Sequence, residues 1–246
     1  MPQVTLAGLR VLLTRPQSEG ADDWALAFAA AGAEPVPYPT IAIVAPTSWR
    51  DLDEAVAGLA RYDWVLFTSQ AAVSFVLARL PNQRFPAALR AKVAAVGPTT
   101  AQAIERGGGR VELLPEDSRQ EGLVEALRLV PAGSRLLLPV AAGARTLLAE
   151  SLRTRGCVVD VVTVYRAMPR ADLPPPPVFD VATFASPSAL RAYLAHAGRE
   201  SLAGKTVAVI GPTTAKEATA SGLLPLVAET PDVHALILAL TKSRTN

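Results

Sequence analysis

With 246 residues, half of them hydrophobic, the chain has enough apolar material for two cores of ordinary domain size. Its net charge of +2 comes from interspersed acidic and basic residues, without the basic runs or aromatic interleaving of a nucleic-acid groove, which leaves room for a small anionic ligand. A single cysteine, Cys157, excludes an intrachain disulfide and a zinc cluster, and its neighbours Val158 and Val159 point to a packed thiol.

The first residues carry neither a basic region nor an apolar run, and no stretch approaches the length of a membrane span, so the expectation is a cytoplasmic protein. Residues 9–14 are a short apolar run suited to a central strand. Arg15-Pro16 follows where a helix should open, running over 17–31 and ending at Gly32 in a left-handed cap. Prolines at 35, 37 and 39 exclude both a helix and a central strand over 34–43, leaving an extended connector or edge strand.

A helix is expected over 51–60, a strand over 62–68, and a helix from Gln70 to about Leu80 with Ser69 as its cap. A strand over 92–96 then leads into Gly97-Pro98-Thr99-Thr100, with a helix to about Arg106. The glycines 107–109 follow a helix and precede an expected strand over 110–114, the reverse of a phosphate loop, so they read as cap and turn. Another helix covers 121–129.

The pattern then restarts. Residues 135–138 repeat the opening strand, 145–155 repeat the opening helix, Gly156 repeats Gly32, and 158–166 repeat the connector. After a stiff proline run at 174–177, a strand over 179–184 leads to Ser186, Pro187 and Ser188 at a helix start. A strand over 206–210 ends in Gly211-Pro212-Thr213-Thr214, and Asp232 caps a closing helix over 233–240. The duplication is plainest at Val96-Gly97-Pro98-Thr99-Thr100-Ala101, which returns as Ile210-Gly211-Pro212-Thr213-Thr214-Ala215.

Alternating strands and helices imply parallel sheets with helices on both faces, and ligands in such sheets sit beyond the carboxyl ends of the strands. The turns at Arg15, Ser69, Gly97, Ser186 and Gly211 all fall on such an edge. There helix N–H groups and threonine hydroxyls, read as helix caps, can meet carboxylates. His196 and His234 lie on expected helices and read as surface or core-edge residues, with no metal proposed, and Trp24, Trp49 and Trp64 read as packing.

Taken together, the chain resembles the uroporphyrinogen-III synthase family along essentially its whole length. The likeness rests on Leu12-Leu13-Thr14-Arg15-Pro16, on Val65-Leu66-Phe67-Thr68-Ser69-Gln70-Ala71-Ala72-Val73, and on Gly97-Pro98-Thr99-Thr100-Ala101. It continues in Val162-Thr163-Val164-Tyr165-Arg166, Phe184-Ala185-Ser186-Pro187-Ser188-Ala189 and the second Gly-Pro-Thr-Thr. In one place the chain departs from the family: Pro139-Val140 stands where many members have Arg-Gly, with Arg145 beyond.

The resemblance implies two similar flavodoxin-like α/β domains, one formed by residues 1–36 and 170–246 and the other by 37–169. It also implies that connector strands at about 36–44 and 158–168 pair as a ribbon, with the ligand cleft between the domains. It further implies a monomeric lyase without metal or cofactor, in transient contact at most with the preceding enzyme of tetrapyrrole synthesis. Its substrate would be hydroxymethylbilane, which loses a hydroxyl to give an azafulvene, closes through a spiro intermediate and emerges with its last pyrrole inverted. Tyr165 is the candidate general acid, since its counterpart in the first copy is Ile41 and the strand does not require a tyrosine. Candidate substrate contacts are Thr14, Arg15, Ser69, Gln70, Ala71, Gly97, Thr99, Thr100, Arg145, Ser186, Ser188, Ala189, Gly211, Thr213 and Thr214. A non-catalytic two-lobed binder of an anionic small molecule is the alternative.

Overall fold

The computed structural model describes residues 6–16, 22–87 and 89–244. In chain order the strands are β1 (Arg10–Leu13), β2 (Glu34–Pro37), β3 (Ile41–Val44), β4 (Trp64–Phe67) and β5 (Lys92–Ala95). They continue with β6 (Arg135–Ala141), β7 (Val158–Pro169), β8 (Val181–Phe184), β9 (Thr206–Val209) and β10 (Leu226–Val227). The helices are α1 (Asp23–Ala30), α2 (Arg50–Ala57), α3 (Gln70–Leu77), α4 (Pro98–Arg106) and α5 (Gln120–Ala126). The remaining helices are α6 (Leu147–Thr154), α7 (Pro187–Ala197), α8 (Pro212–Ala220) and α9 (Val233–Ser243).

The chain forms two compact units, one from the residues up to Ala42 together with those from Met168 onward, the other from Ile43–Ala167. One sheet has the order β10-β9-β8-β1-β2 and the other β3-β7-β6-β4-β5. The run β9-β8-β1-β2 matches β5-β4-β6-β7 strand for strand, so each sheet takes strands from both copies of the repeat. The pairings among these strands are parallel.

Period-two alternation sorts the strand residues between helices on the two faces. In the second unit Val65, Phe67, Val93 and Ala95 pack with Leu52, Val73, Val76 and Ile104 from α2, α3 and α4. Leu66, Ala94, Leu136 and Leu138 face the other way, onto Leu123 of α5 and Leu148 and Leu152 of α6. In the first unit Val11, Leu13, Val181 and Ala208 meet Trp24, Phe28, Leu236 and Leu240. On the opposite face Leu12, Ala182, Phe184, Val207 and Val209 meet Leu190, Tyr193 and Ala218.

Gly32 and Gly156 end their helices with φ of +88° and +84°, so the repeated glycine has the same left-handed role in both copies. Asp232 caps α9 by accepting from the Ala235 N–H at 2.9 Å. Several expectations are corrected. Arg15-Pro16 does not open α1; that helix begins at Asp23, capped by Asp22 through the Trp24 N–H at 3.0 Å, and the expected start over 17–21 lies outside the described residues.

Residues 34–43 are not one connector. Glu34–Pro37 is an edge strand beside β1, where its prolines withhold only donors that no neighbour needs, while Ile41–Val44 joins the other sheet beside β7. Strand β7 covers the second expected connector strand, about 158–168, and pairs with β6 along most of its length. The strand expected over 110–114 reduces to a single bridge between Leu113 and Ala94. The Glu112 carboxylate accepts the Val93 N–H at 2.7 Å, occupying a donor that a continuous ladder would have used. Strand β6 runs on through Pro139, beyond the last residue paired with β4, so the missing N–H breaks no bond on that side. Helix α6 starts at Leu147, not at Arg145.

Two consequences for stability can be measured. A Cβ at Gly122 would lie 2.0 Å from the Asp117 carbonyl oxygen, whereas at Gly211 it would meet nothing within 4 Å. Gly122→Ala is therefore expected to cost at least about 2 kcal/mol in urea unfolding, and Gly211→Ala less than about 0.5 kcal/mol. Burial holds the phenols of Tyr38 and Tyr193, which pack edge to face at 6.1 Å, above their usual range. The fold thus favours the neutral form, a contribution complete below about pH 10 and lost as pH rises through the folded-state values. Thermal unfolding followed from pH 8 to 11 should show Tm falling above about pH 10, with a shallower fall in Tyr193→Phe.

Candidate active site

The carboxyl edge of each sheet is where helix amino termini gather. In the second unit β4 ends at Phe67, and Thr68-Ser69 turns the chain into α3. Ser69 caps α3 by accepting the Ala72 N–H at 3.1 Å. This leaves the first-turn amides of Gln70 and Ala71 without partners further down the helix. Next to it, β5 leads through Val96 to Gly97 and α4, with Pro98 in the first helical position.

The threonines do not cap. Gly97 and Gly211 are the N-caps of α4 and α8, and no side chain closes either helix end. Thr100 and Thr214 are buried at 3% exposure each, while Thr99 and Thr213 are exposed. Both Gly-Pro-Thr-Thr turns therefore present a helix end with uncapped backbone donors, which suits an anion. The glycines differ in their reason for being there. Both are extended, with φ of −163° at Gly97 and 178° at Gly211, but a Cβ at Gly97 would approach the Ser118 hydroxyl to 3.0 Å whereas Gly211 is open.

Tyr165 lies on β7 at the same edge, and a bulge brings it there. Val140 pairs with Thr163 and Ala141 with Tyr165, so Val164 is an extra residue in the ladder. Successive strand residues ordinarily face opposite sides, yet Val164 and Tyr165 both pack against the cluster under α3. The Tyr165 hydroxyl stands 3.1 Å from the Ser69 hydroxyl. Two proton placements satisfy that contact, and in one of them Ser69 donates to Tyr165 while the phenolic proton points outward. In that arrangement Tyr165 can give a proton to a bound molecule, and Ser69 stabilises the oxygen left behind. Arg166 donates to the Ala45 carbonyl at 3.1 Å, and Arg145 is exposed and ion-paired to Glu121 at 3.0 Å.

The corresponding edge of the first unit is built alike. Ser186 caps α7 through the Ala189 N–H at 3.2 Å and contacts the Ser188 hydroxyl at 3.0 Å. Ala189 is fully buried, with its carbonyl taken by the Thr40 hydroxyl at 2.9 Å. Thr14 is also fully buried and donates to the Thr183 carbonyl at 2.7 Å, while Thr183 donates to Leu12 at 2.9 Å. Neither the Thr14 nor the Ala189 side chain is free to touch a ligand: Thr14 belongs to the joint between β1 and β8, and Ala189 is buried on α7. Arg15, instead of starting a helix, pairs with the cap Asp22 at 3.4 Å and lies 5.3 Å over the Trp24 ring.

A family profile described as uroporphyrinogen-III synthase HemD matches residues 22–238. The chain belongs to the uroporphyrinogen-III synthase family. The family is one of hydro-lyases that act on a tetrapyrrole. The chain is 34% identical to the uroporphyrinogen-III synthase of Synechococcus elongatus, over 71% of its own length and 66% of that enzyme's. In fold it resembles the uroporphyrinogen-III synthetase of Helicobacter pylori, with a TM-score of 0.62, 18% identity, and 96% and 99% of the two chains covered. A uroporphyrinogen III synthase mutant from Thermus thermophilus gives 0.59 at 17% identity, over 97% and 99%. Among the described residues no helix is long and apolar enough to cross a membrane, and no group of three or more His, Cys, Asp or Glu could hold a metal ion.

The two serine caps can be compared directly. Ser69→Ala and Ser186→Ala should each lower unfolding free energy by about 1 kcal/mol in urea titrations, the usual worth of an N-cap. Ser69→Ala should also lower kcat, because it removes a partner of Tyr165, whereas Ser186→Ala leaves that contact intact and should act on KM alone.

Proposed function

We propose that this chain is a uroporphyrinogen-III synthase that converts hydroxymethylbilane to uroporphyrinogen III with loss of water. Family membership supports the reaction, and the observation that carries the site is the Tyr165 hydroxyl held 3.1 Å from Ser69 at the open end of α3. The substrate's departing hydroxyl takes the phenolic proton and leaves as water, and Ser69 donates to the resulting phenolate. The azafulvene carbon is then attacked by the substituted carbon of the far pyrrole. The spiro intermediate fragments and recloses with that ring reversed, and the proton released as the ring regains aromaticity restores the phenol.

The remaining work is orientation, because both ends of a flexible chain must be brought together. In the second unit the uncapped amides of Gly97 and Thr99 and the helix start at Ser69–Ala71 suit substrate carboxylates, and the first unit offers the same features at Gly211, Thr213 and Ser186–Ser188. Arg15 and Arg145 add positive charge, each already shared with an acid. Many modest bonds of this kind hold an acid-rich chain yet let it shift as the ring forms. The protein acts as a monomer in the cytoplasm, with no more than transient contact with the enzyme that supplies its substrate.

Incubation with hydroxymethylbilane and isomer analysis of the product tests the reading. Uncatalysed closure gives the type I ring, so type III must dominate; only type I would defeat the proposal. Tyr165→Phe should slow type III formation at least about tenfold while unfolding free energy changes by no more than about 1 kcal/mol. Near wild-type turnover in that variant would remove Tyr165 from the mechanism.

A further inference from the structure

Tyr165 is the end of a row of rings. Phe75, on α3, lies nearly parallel to it, with centroids 5.9 Å apart and planes 11° from each other. Trp49, just before α2, packs on Phe75 at 5.9 Å and 36°. The Arg79 guanidinium covers Trp49 at 5.1 Å and is itself gripped by both oxygens of Asp53, at 2.7 and 2.8 Å. Trp49, Phe75 and Tyr165 all pack against the same buried cluster while staying only partly buried themselves.

The companion unit has no ring at the position of Phe75. Aligning Ser69 with Ser186 puts Ala192 there, on α7. Strand β2, the counterpart of β7, ends at Pro37, and Ile41, which aligns with Tyr165 in sequence, lies in β3 beside β7, so that unit has no strand position that matches Tyr165. Here the stack restrains a side chain whose hydroxyl is held at its far end by Ser69. A phenol fixed in plane by a stacked ring and at its tip by one hydrogen bond has little rotational freedom left.

We propose that Phe75 is a positioning residue for the reaction. Its ring fixes the Tyr165 ring so that the phenolic oxygen stays on Ser69 and its proton faces the departing hydroxyl, and Trp49, clamped by Arg79 and Asp53, backs Phe75. The inference rests on the synthase reading and on Tyr165 as the proton donor. It assigns no contact between Phe75 and substrate, so the effect must appear in kcat and not in KM.

The test measures kcat and KM for type III formation in the wild type, Phe75→Leu, Phe75→Tyr, Tyr165→Phe and the Phe75→Leu/Tyr165→Phe double variant. Phe75→Leu should lose about tenfold in kcat with KM within about twofold, as expected for a misplaced proton donor, and Phe75→Tyr should recover to within about twofold. The double variant should be no slower than Tyr165→Phe alone, because the ring acts only through the phenol. A wild type that forms only type I overturns the synthase reading and this inference with it. With type III formation intact, any of three results overturns the inference alone: Phe75→Leu within about twofold of wild type, a loss that multiplies with that of Tyr165→Phe, or a Tyr165→Phe variant as fast as wild type. Should Phe75→Leu fail to fold, Trp49→Leu probes the same row one ring further out; about a threefold loss in kcat is expected, and an unchanged kcat counts against the proposal.

Discussion

The structure depends on parallel pairing between strands that are far apart in the chain. Val11, Leu12 and Leu13 pair with Val181, Ala182 and Thr183, and the buried hydroxyls of Thr14, Thr183 and Thr40 close the carboxyl end of that joint. Without it the first unit has no centre, because β1 is the strand that links β2 to β8. The second unit has the same dependence at β4 and β6, where Val65 pairs with Leu137. Neither copy of the repeat can complete a sheet by itself. Each supplies two strands of one sheet and three of the other, and the duplication seen in the sequence does not coincide with the division seen in space.

That arrangement also sets out the chemistry. Parallel pairing sends the central strands out on the same edge, and β4, β5, β8 and β9 each deliver a helix amino terminus there. Repetition makes two such edges, each with a Ser cap and an uncapped Gly-Pro turn. Catalytic asymmetry is then a matter of a few residues. One unit has Phe75 where the other has Ala192, its β7 carries Tyr165 where the counterpart strand β2 has already ended, and it has Arg119 before α5 where the other has the capping Asp232 before α9. In the proposed mechanism the shared frame meets the substrate's carboxylates and the departures from it supply the proton.

Much of this was legible in the residues, and the reasons are local. Ser69, Ser186 and Asp232 were readable as caps because each follows an extended segment and precedes an apolar-periodic run. Gly32 and Gly156 were readable because only a left-handed stop explains a glycine at that point twice. The alternation of strand and helix sufficed for the fold class. What failed were features decided by a competitor elsewhere in the chain. Arg15-Pro16 carries a helix-start signal, but Asp22 offers a better acceptor further on. The strand expected over 110–114 is pre-empted by the Glu112 carboxylate on Val93. The threonines after Gly97 and Gly211 sit too late in the turn to cap. The bulge at Val164, which turns Tyr165 toward α3, leaves no mark in a run of valines and threonines, and Phe75 read only as one more apolar residue of a helix.

The discontinuity of the first unit also bears on how the polypeptide emerges from the ribosome. Residues 43–167 are contiguous and contain every strand partner that their sheet's interior requires, so they can collapse while the remainder is still being made. The leading segment with β1 and β2 must wait for β8 and β9. Until then Val11, Leu12 and Leu13 are an unpaired apolar strand, the kind of edge that invites misassociation. A growing chain of this family therefore passes through a stage with one lobe built and the other held open, and its time in that stage depends on how quickly the last third is translated.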